Sequence, residues 1–245
     1  KDKTYFLAWT TTPWTLPSNT ALAVGDKLDY CCVESFNPYT GKEMVCFVAK
    51  NLLNAHFKTE GENQDFEAYK KGDKVIPWRL LFECKGKELV GIDYEQLIPW
   101  VKPQRQEGDA FKVISGDYVT TQDGTGIVHI APTFGADDAR VAKLANIAPL
   151  HLVDKNGKNQ PMVDKSGKFF VLDDLDKEYV DKHIDKEQYE RFAGRFVKNA
   201  YDDTLTDKDN TLDVDLCVEL KAQNKVFKIE KHTHNYPHCW RTDKP

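Results

Sequence analysis

The chain has 245 residues, 40% of them hydrophobic and 30% charged, which is enough to bury a core and suits one soluble globular domain or a domain with an appendage. A formal net charge of −5 argues against a protein that coats nucleic acid through bulk charge. It leaves room for local basic surfaces such as Lys70, Lys71 and Lys74, or Lys221, Lys225, Lys228 and Lys231, although solvated lysines on a mixed surface are the simpler reading of either group. No apolar run approaches the roughly 20 residues that span a bilayer, and the start carries no signal-peptide pattern, so a cytoplasmic protein is expected. Lys1-Asp2-Lys3 leads straight into an apolar segment without a nearby methionine, as expected of a piece of a longer polypeptide.

Thr4 to Trp9 has strand character and runs into Thr10-Thr11-Thr12-Pro13, where the proline ends regular pairing. Tyr30 to Glu34 and Met44 to Val48 read as two strands joined through Asn37-Pro38-Tyr39-Thr40-Gly41. Lys50 to Lys58 carries a short helical pattern in which Leu52, Leu53, His56 and Phe57 share a face. Lys70 to Gly108 has no clean period and reads as short strands and loops. Tyr118 to Thr121 is predicted as a strand, Asp123-Gly124 as a turn, and Ile127 to Ile130 as the returning strand. After a loop over Pro132 to Gly135, Asp137 and Asp138 place acidic charge in the first turn of a helix through Arg140 to Ala145.

Leu150 to Val163 reads as a hairpin about Asp154-Lys155-Asn156-Gly157, and Lys165 to Leu172 as a second turn and strand. One longer helix is predicted within Lys177 to Lys198 and another from Val214 to Asn224, with a strand over Val226 to Ile229 leading into an aromatic tail at His232 to Trp240. Strands and helices do not alternate strictly, so a β-rich α+β fold is expected over a doubly wound sheet. Six cysteines, without C-x-x-C or disulfide-scaffold spacing, are expected as thiols in a reducing compartment; the neighbours Cys31 and Cys32 should point to opposite faces of a strand.

Two segments could carry chemistry. Trp9 to Asn19 clusters the hydroxyls of Thr10, Thr11 and Thr12 in a proline-stiffened loop flanked by Trp9 and Trp14. Hydroxyls both donate and accept, so they can hold an ester carbonyl, a ribose hydroxyl or a water. They can equally satisfy the backbone of a strand end. In Asp123 to Asp138, Gly124, Thr125 and Gly126 allow close backbone approach, His129 stands near a strand end, and Asp138 stands near a helix start. Taken singly, His129 is better read as a hydrogen-bonded strand histidine and Asp138 as a helix-terminal carboxylate. Gly124-Thr125-Gly126 lacks the third glycine and the following helix of a dinucleotide fingerprint.

Read together, the segments resemble the editing insertion of class I aminoacyl-tRNA synthetases for isoleucine, valine and leucine. Thr10-Thr11-Thr12-Pro13-Trp14-Thr15-Leu16-Pro17 is similar to the form typical of the isoleucine members, and His129 fits that pattern too. A third match, Tyr236-Pro237-His238-Cys239-Trp240-Arg241, spreads the resemblance over nearly the whole chain. Thr242 stands where some relatives place a second cysteine, so no metal site is expected of Cys239 with His232, His234 and His238.

The resemblance implies a barrel-like β core with peripheral helices, with 1–8 and about 228–245 as strands connecting to a synthetic domain. It implies hydrolysis of valine from the acceptor end of isoleucine tRNA. Thr10, Thr11, Thr12, His129 and Asp138 would carry the chemistry; Trp14, Gly124, Thr125, Gly126 and Tyr236 would bind substrate. No cofactor is expected here, ATP and Mg²⁺ belonging to the full ligase; a monomer is expected, joined to the catalytic domain of the same polypeptide. The competing expectations, both ranking below editing, are a non-catalytic module that docks the tRNA acceptor end and a metal-dependent hydrolase built on the histidine-rich tail.

Overall fold

The computed structural model describes residues 3–104, 108–206 and 208–230. Among the described residues, nine strands and six helices follow in order as β1 (Thr4–Phe6), β2 (Ala21–Val24), β3 (Asp29–Phe36), β4 (Glu43–Ala49), α1 (Leu53–His56), β5 (Arg79–Lys85), α2 (Gly86–Leu89), β6 (Lys112–Ser115), β7 (Ile127–Ile130), α3 (Ala136–Leu144), β8 (Leu152–Val153), β9 (Asn159–Gln160), α4 (Lys177–His183), α5 (Lys186–Glu190) and α6 (Leu212–Ala222). A 3-10 turn over Pro13–Ser18 lies between β1 and β2. The fold is mixed and β-rich with peripheral helices, as expected. Among the described residues the strands form separate sheets rather than a closed barrel.

The first sheet has the order β1-β4-β3-β5, with β1 parallel to β4 and the other pairs antiparallel. The second has the order β6-β2-β7, with β2 parallel to β6 and antiparallel to β7. The two sheets share a core. Strand alternation sends Leu22, Val24, Val113 and Ile127 into it, and the first sheet contributes Val33, Cys46, Phe47 and Val48 to the same cluster. The intervening Ala21, Ala23, Ile114 and Ile130 face the other way and are covered by Val141 and Ala142 of α3. Both faces of β2 are therefore buried. Cys31 and Cys32 are likewise both buried free thiols, since β3 is central. Burial pushes both up to about 11, so neither is a reactive thiolate.

A separate core gathers Trp100, Leu150, Met162, Phe169, Tyr189, Phe192, Leu212 and Leu216 under α4, α5 and α6. Trp14 and Leu16 of the 3-10 turn pack against it from the side of the first two sheets.

Several sequence expectations are corrected. Tyr118 to Thr121 is turn and coil, with Val119 N–H donating back to Gly116 O at 3.3 Å. The single helix expected within Lys177 to Lys198 is broken after His183, because Ile184 bridges Val101 and Asp185 N–H donates to Trp100 O at 2.8 Å. Asp176 and Asp185 then cap the two short helices by accepting from Tyr179 and Gln188 amides. Lys165 to Leu172 is a turn closed by isolated bridges, Val163 to Phe169 and Lys168 to Phe196, with no extended strand. Val226 to Ile229 pairs with side chains instead of a strand: Asn37 Nδ2 donates to Val226 O at 2.8 Å, and Ile229 N–H donates to Tyr39 Oη at 2.9 Å. The tail from His232 to Trp240, including Tyr236, lies outside the described residues. Among the described residues, no helix is long and apolar enough to cross a membrane.

The two sheets come close at Gly126, which has φ +72° and whose missing Cβ would collide with Ala49 Cβ. Gly157 has the same backbone, φ +73°, with nothing near it. Gly126→Ala is expected to cost about 2–4 kcal/mol and Gly157→Ala about 1 kcal/mol, left-handed strain alone accounting for the second. Urea denaturation of both variants checks this; equal losses would show that the inter-sheet contact at Gly126 is loose.

Candidate active site

Four residues after β1 ends, the chain turns through Thr10, Thr11 and Thr12. Trp9 bridges Val128 of β7, so the threonines emerge beside that strand. Thr10 Oγ1 accepts from the Thr12 amide at 3.0 Å, folding the segment on itself. The 3-10 turn follows, with Thr12 O accepting from both Thr15 N–H (3.1 Å) and Thr15 Oγ1–H (2.9 Å).

The segment is tied to β7 through His129. Asn19 Nδ2 donates to Ala21 O at 2.8 Å and Tyr94 Oη–H donates to Asn19 Oδ1 at 2.6 Å, which fixes the amide orientation. The same amino group reaches His129 Nδ1 at 3.3 Å. That amino group also lies 3.3 Å from Ile130 O; facing a donor, His129 Nδ1 is best placed as an acceptor, the tautomer that puts the ring proton on Nε2 and gives it to Thr15 Oγ1 at 2.9 Å. The directions are self-consistent, since the Thr15 hydroxyl proton is already given to Thr12 O. Burial pushes the His129 imidazolium down from 6.5 to about 4, so the ring is neutral at physiological pH with both nitrogens engaged.

Asp138, in the first turn of α3, lines the same cavity. Its Oδ2 accepts from the Ala131 amide at 2.9 Å, which steadies the carboxylate just beyond β7. Desolvation raises its pKa; the Ala131 N–H opposes that rise and neighbouring Asp137 adds to it. Gly135 lets the carboxyl lie close, since a Cβ there would come within 2.9 Å of Asp138 Cγ. The turn at Gly124 to Gly126 is held by its carbonyls: His56 Nε2–H donates to Gly124 O at 2.7 Å, Ala49 N–H to Thr125 O at 2.9 Å, and Tyr30 Oη–H to Gly126 O at 2.7 Å.

These elements line a half-open cavity of about 380 Å³. The structure brings Thr10, Thr11, Thr12, Gly124, Thr125, Gly126, His129 and Asp138 together on its wall. Trp14 stands behind that wall, its ring edge-on to Phe134 at 4.9 Å, while Phe134 itself faces the cavity. Tyr118, Thr15 and Phe134 line it without having been singled out from sequence. Thr15 sat in the quoted motif, whereas nothing local marked Tyr118. Tyr94 and Asp213, which bind the wall from distant segments, carried no sequence signal. Among the described residues there is no group of three or more metal-ligating side chains. Cys239 and the tail histidines lie outside those residues.

No protein-family model matches the chain. It is 61% identical over 241 residues to an isoleucine–tRNA ligase of Bacteroides fragilis, covering 98% of this chain and 21% of that protein. It is 59% identical over 242 residues to that of Porphyromonas gingivalis, again covering 98% and 21%. The ligase of Clostridium acetobutylicum is 36% identical over 245 residues, covering 100% of this chain and 17% of its own length. The chain thus spans about a fifth of the length of the curated relatives it matches. Among solved structures it resembles GlLeuRS-CP1 with a TM-score of 0.49 and 17% identity, covering 93% of this chain and 85% of that one. It resembles the editing domain of Plasmodium knowlesi cytosolic leucyl-tRNA synthetase with a TM-score of 0.38 and 19% identity, covering 55% and 48%. Family membership rests on the sequence identities: sustained over nearly all of its length, they make this chain a member of the isoleucine–tRNA ligase family.

Proposed function

We propose that the chain hydrolyses the ester linking a misattached valine to the terminal adenosine of isoleucine tRNA. The observation that carries this reading is one cavity whose wall brings together Thr10, Thr11, Thr12, a neutral His129 and Asp138. Asp138 pairs with the α-ammonium of the amino acid and orients the ester. Thr10, Thr11 and Thr12 contact the ester, the terminal nucleotide and the attacking water. His129 limits the size of the side chain admitted. It is not the general base, because its accepting nitrogen is already engaged by Asn19. An aminoacyl ester is reactive enough that positioning a water beside it is a large part of the task, and the substrate's own ribose hydroxyl can assist.

A second cavity is useful because one methylene is worth only about 1–3 kcal/mol of discrimination, a limit for which isoleucine activation is the standard illustration. A cavity that admits valine and excludes isoleucine adds an independent factor. In this reading the partners are the acceptor end of the tRNA and the remainder of the ligase. The chain acts in the cytoplasm, as a monomer, without a cofactor of its own; ATP and Mg²⁺ serve the synthetic reaction elsewhere in the ligase.

Deacylation of valine-charged isoleucine tRNA tests the reading. The chain should release valine faster than isoleucine, and Asp138→Ala should slow release of valine by about a hundredfold or more. Binding of the charged tRNA without hydrolysis would favour a docking module instead. The histidine assignment has its own check. Imidazole nitrogen resonances of His129 should remain those of the neutral Nε2–H form on acidification to about pH 5, its pKa lying near 4. A titration midpoint near the ordinary 6.5, or the opposite tautomer, would return His129 to the list of candidate bases.

A further inference from the structure

The N-terminus of the 3-10 turn has an unusual cap. Pro13 has no amide proton, so the first backbone donor in the turn belongs to Trp14. Thr12 occupies the capping position, but its side chain makes no capping hydrogen bond. The donor is satisfied instead from 199 residues away: Trp14 N–H donates to Asp213 Oδ1 at 2.8 Å.

Asp213 stands in the first turn of α6, which is a firm support. Thr211 caps that helix by accepting from the Val214 amide at 3.2 Å, and Leu212, Leu216 and Leu220 are buried in the core beneath. Arg195 pairs with Asp215 at 2.7 Å, and Arg191 with Glu219 at 3.1 Å. The Trp14 ring packs on the same core, so backbone and side chain of this residue are both held by the layer containing α6. Two residues earlier stands Thr12, and with it the hydroxyls that line the cavity.

We propose that Asp213 is a positioning residue for the hydrolysis: it caps the 3-10 turn from α6 and so fixes Thr10, Thr11 and Thr12 relative to Asp138. This rests on the reaction proposed above. Asp213 does not touch the substrate; it acts through the Trp14 amide. Burial pushes its carboxyl up to about 6, against the lowering effects of the Trp14 amide and of Lys198. The hydrogen bond needs an acceptor oxygen at this position, which a side-chain amide also supplies.

Two variants separate these roles in the 245-residue chain. Asp213→Ala removes the acceptor, whereas Asp213→Asn retains one. Amide exchange at Trp14, followed by NMR, should accelerate about tenfold in Asp213→Ala and return to within about threefold of wild type in Asp213→Asn. Single-turnover release of valine at saturating enzyme should fall about tenfold in Asp213→Ala, with the half-saturating concentration within about twofold of wild type, and recover in Asp213→Asn. Unchanged Trp14 exchange in Asp213→Ala would overturn the contact. Faster exchange with an unaltered saturating rate would overturn the positioning role. Equal losses in both variants, accompanied by lower thermal stability, would also overturn it, by reducing Asp213 to a support of the whole fold. A wild-type chain that does not release valine defeats the reaction and this role with it, while the exchange comparison still decides whether Asp213 holds the turn.

Discussion

His129 commits both ring nitrogens to the protein, and the arrangement of the cavity follows from that. One nitrogen accepts from Asn19 and the other donates to Thr15. Asn19 and Thr15 belong to the segment that carries the threonine hydroxyls; His129 belongs to the strand that leads to Asp138. The imidazole is thus the rivet between the two halves of the site. A buried donor or acceptor left unpaired costs about 1–3 kcal/mol, so displacing the threonine segment from β7 would expose several such losses together. Neutrality is part of the same arrangement. A protonated ring could not accept from Asn19, and burial holds protonation off to about pH 4.

The register of the second sheet decides that His129 is available for this purpose. β2 and β7 pair Leu22 with His129 and Val24 with Ile127, so these four share one face. Ile127 and Val24 lie in the core between the sheets, while His129 lies one step further along, where the apolar packing ends and the cavity begins. A shift of one residue would bury Val128 there and turn His129 towards α3. Gly126 guards this register from the other end, since its closeness to Ala49 leaves no space for a side chain.

Legibility from sequence followed how local the determining interaction was. β3, β4, β7, α3 and α6 were readable because their apolar periodicity and turn residues are local. β2 was not, because Ala21 and Ala23 have weak strand preference and are strand residues only by virtue of fitting beneath α3. The break between α4 and α5 was missed for a related reason: Ile184 continues the helical pattern in sequence but is drawn into a bridge with Val101. The capping aspartates, Asp176 and Asp185, were the local clue to that break. The cavity residues Thr10, Thr11, Thr12, His129 and Asp138 were found through the motif they form. Tyr94 and Asp213, which hold those residues from elsewhere, belong to no motif and became visible only through contacts.

A cavity that sorts side chains differing by one methylene must resist deformation more than it must attract. A wall that yields by the width of a methyl group admits the larger substrate, and the discrimination available per methylene is only about 1–3 kcal/mol to begin with. The threonine segment is short and contains two prolines within its turn, so it is stiff, but stiffness alone does not fix its position. Two supports do so from opposite directions. His129 draws the turn towards the sheets, and Asp213 holds its first amide from the helical layer. The turn lies at the seam between two separately packed cores, where neither core alone could immobilise it. Bonding it to both makes the dimensions of the cavity a property of the whole fold, which is the condition that the proposed sorting of valine from isoleucine requires.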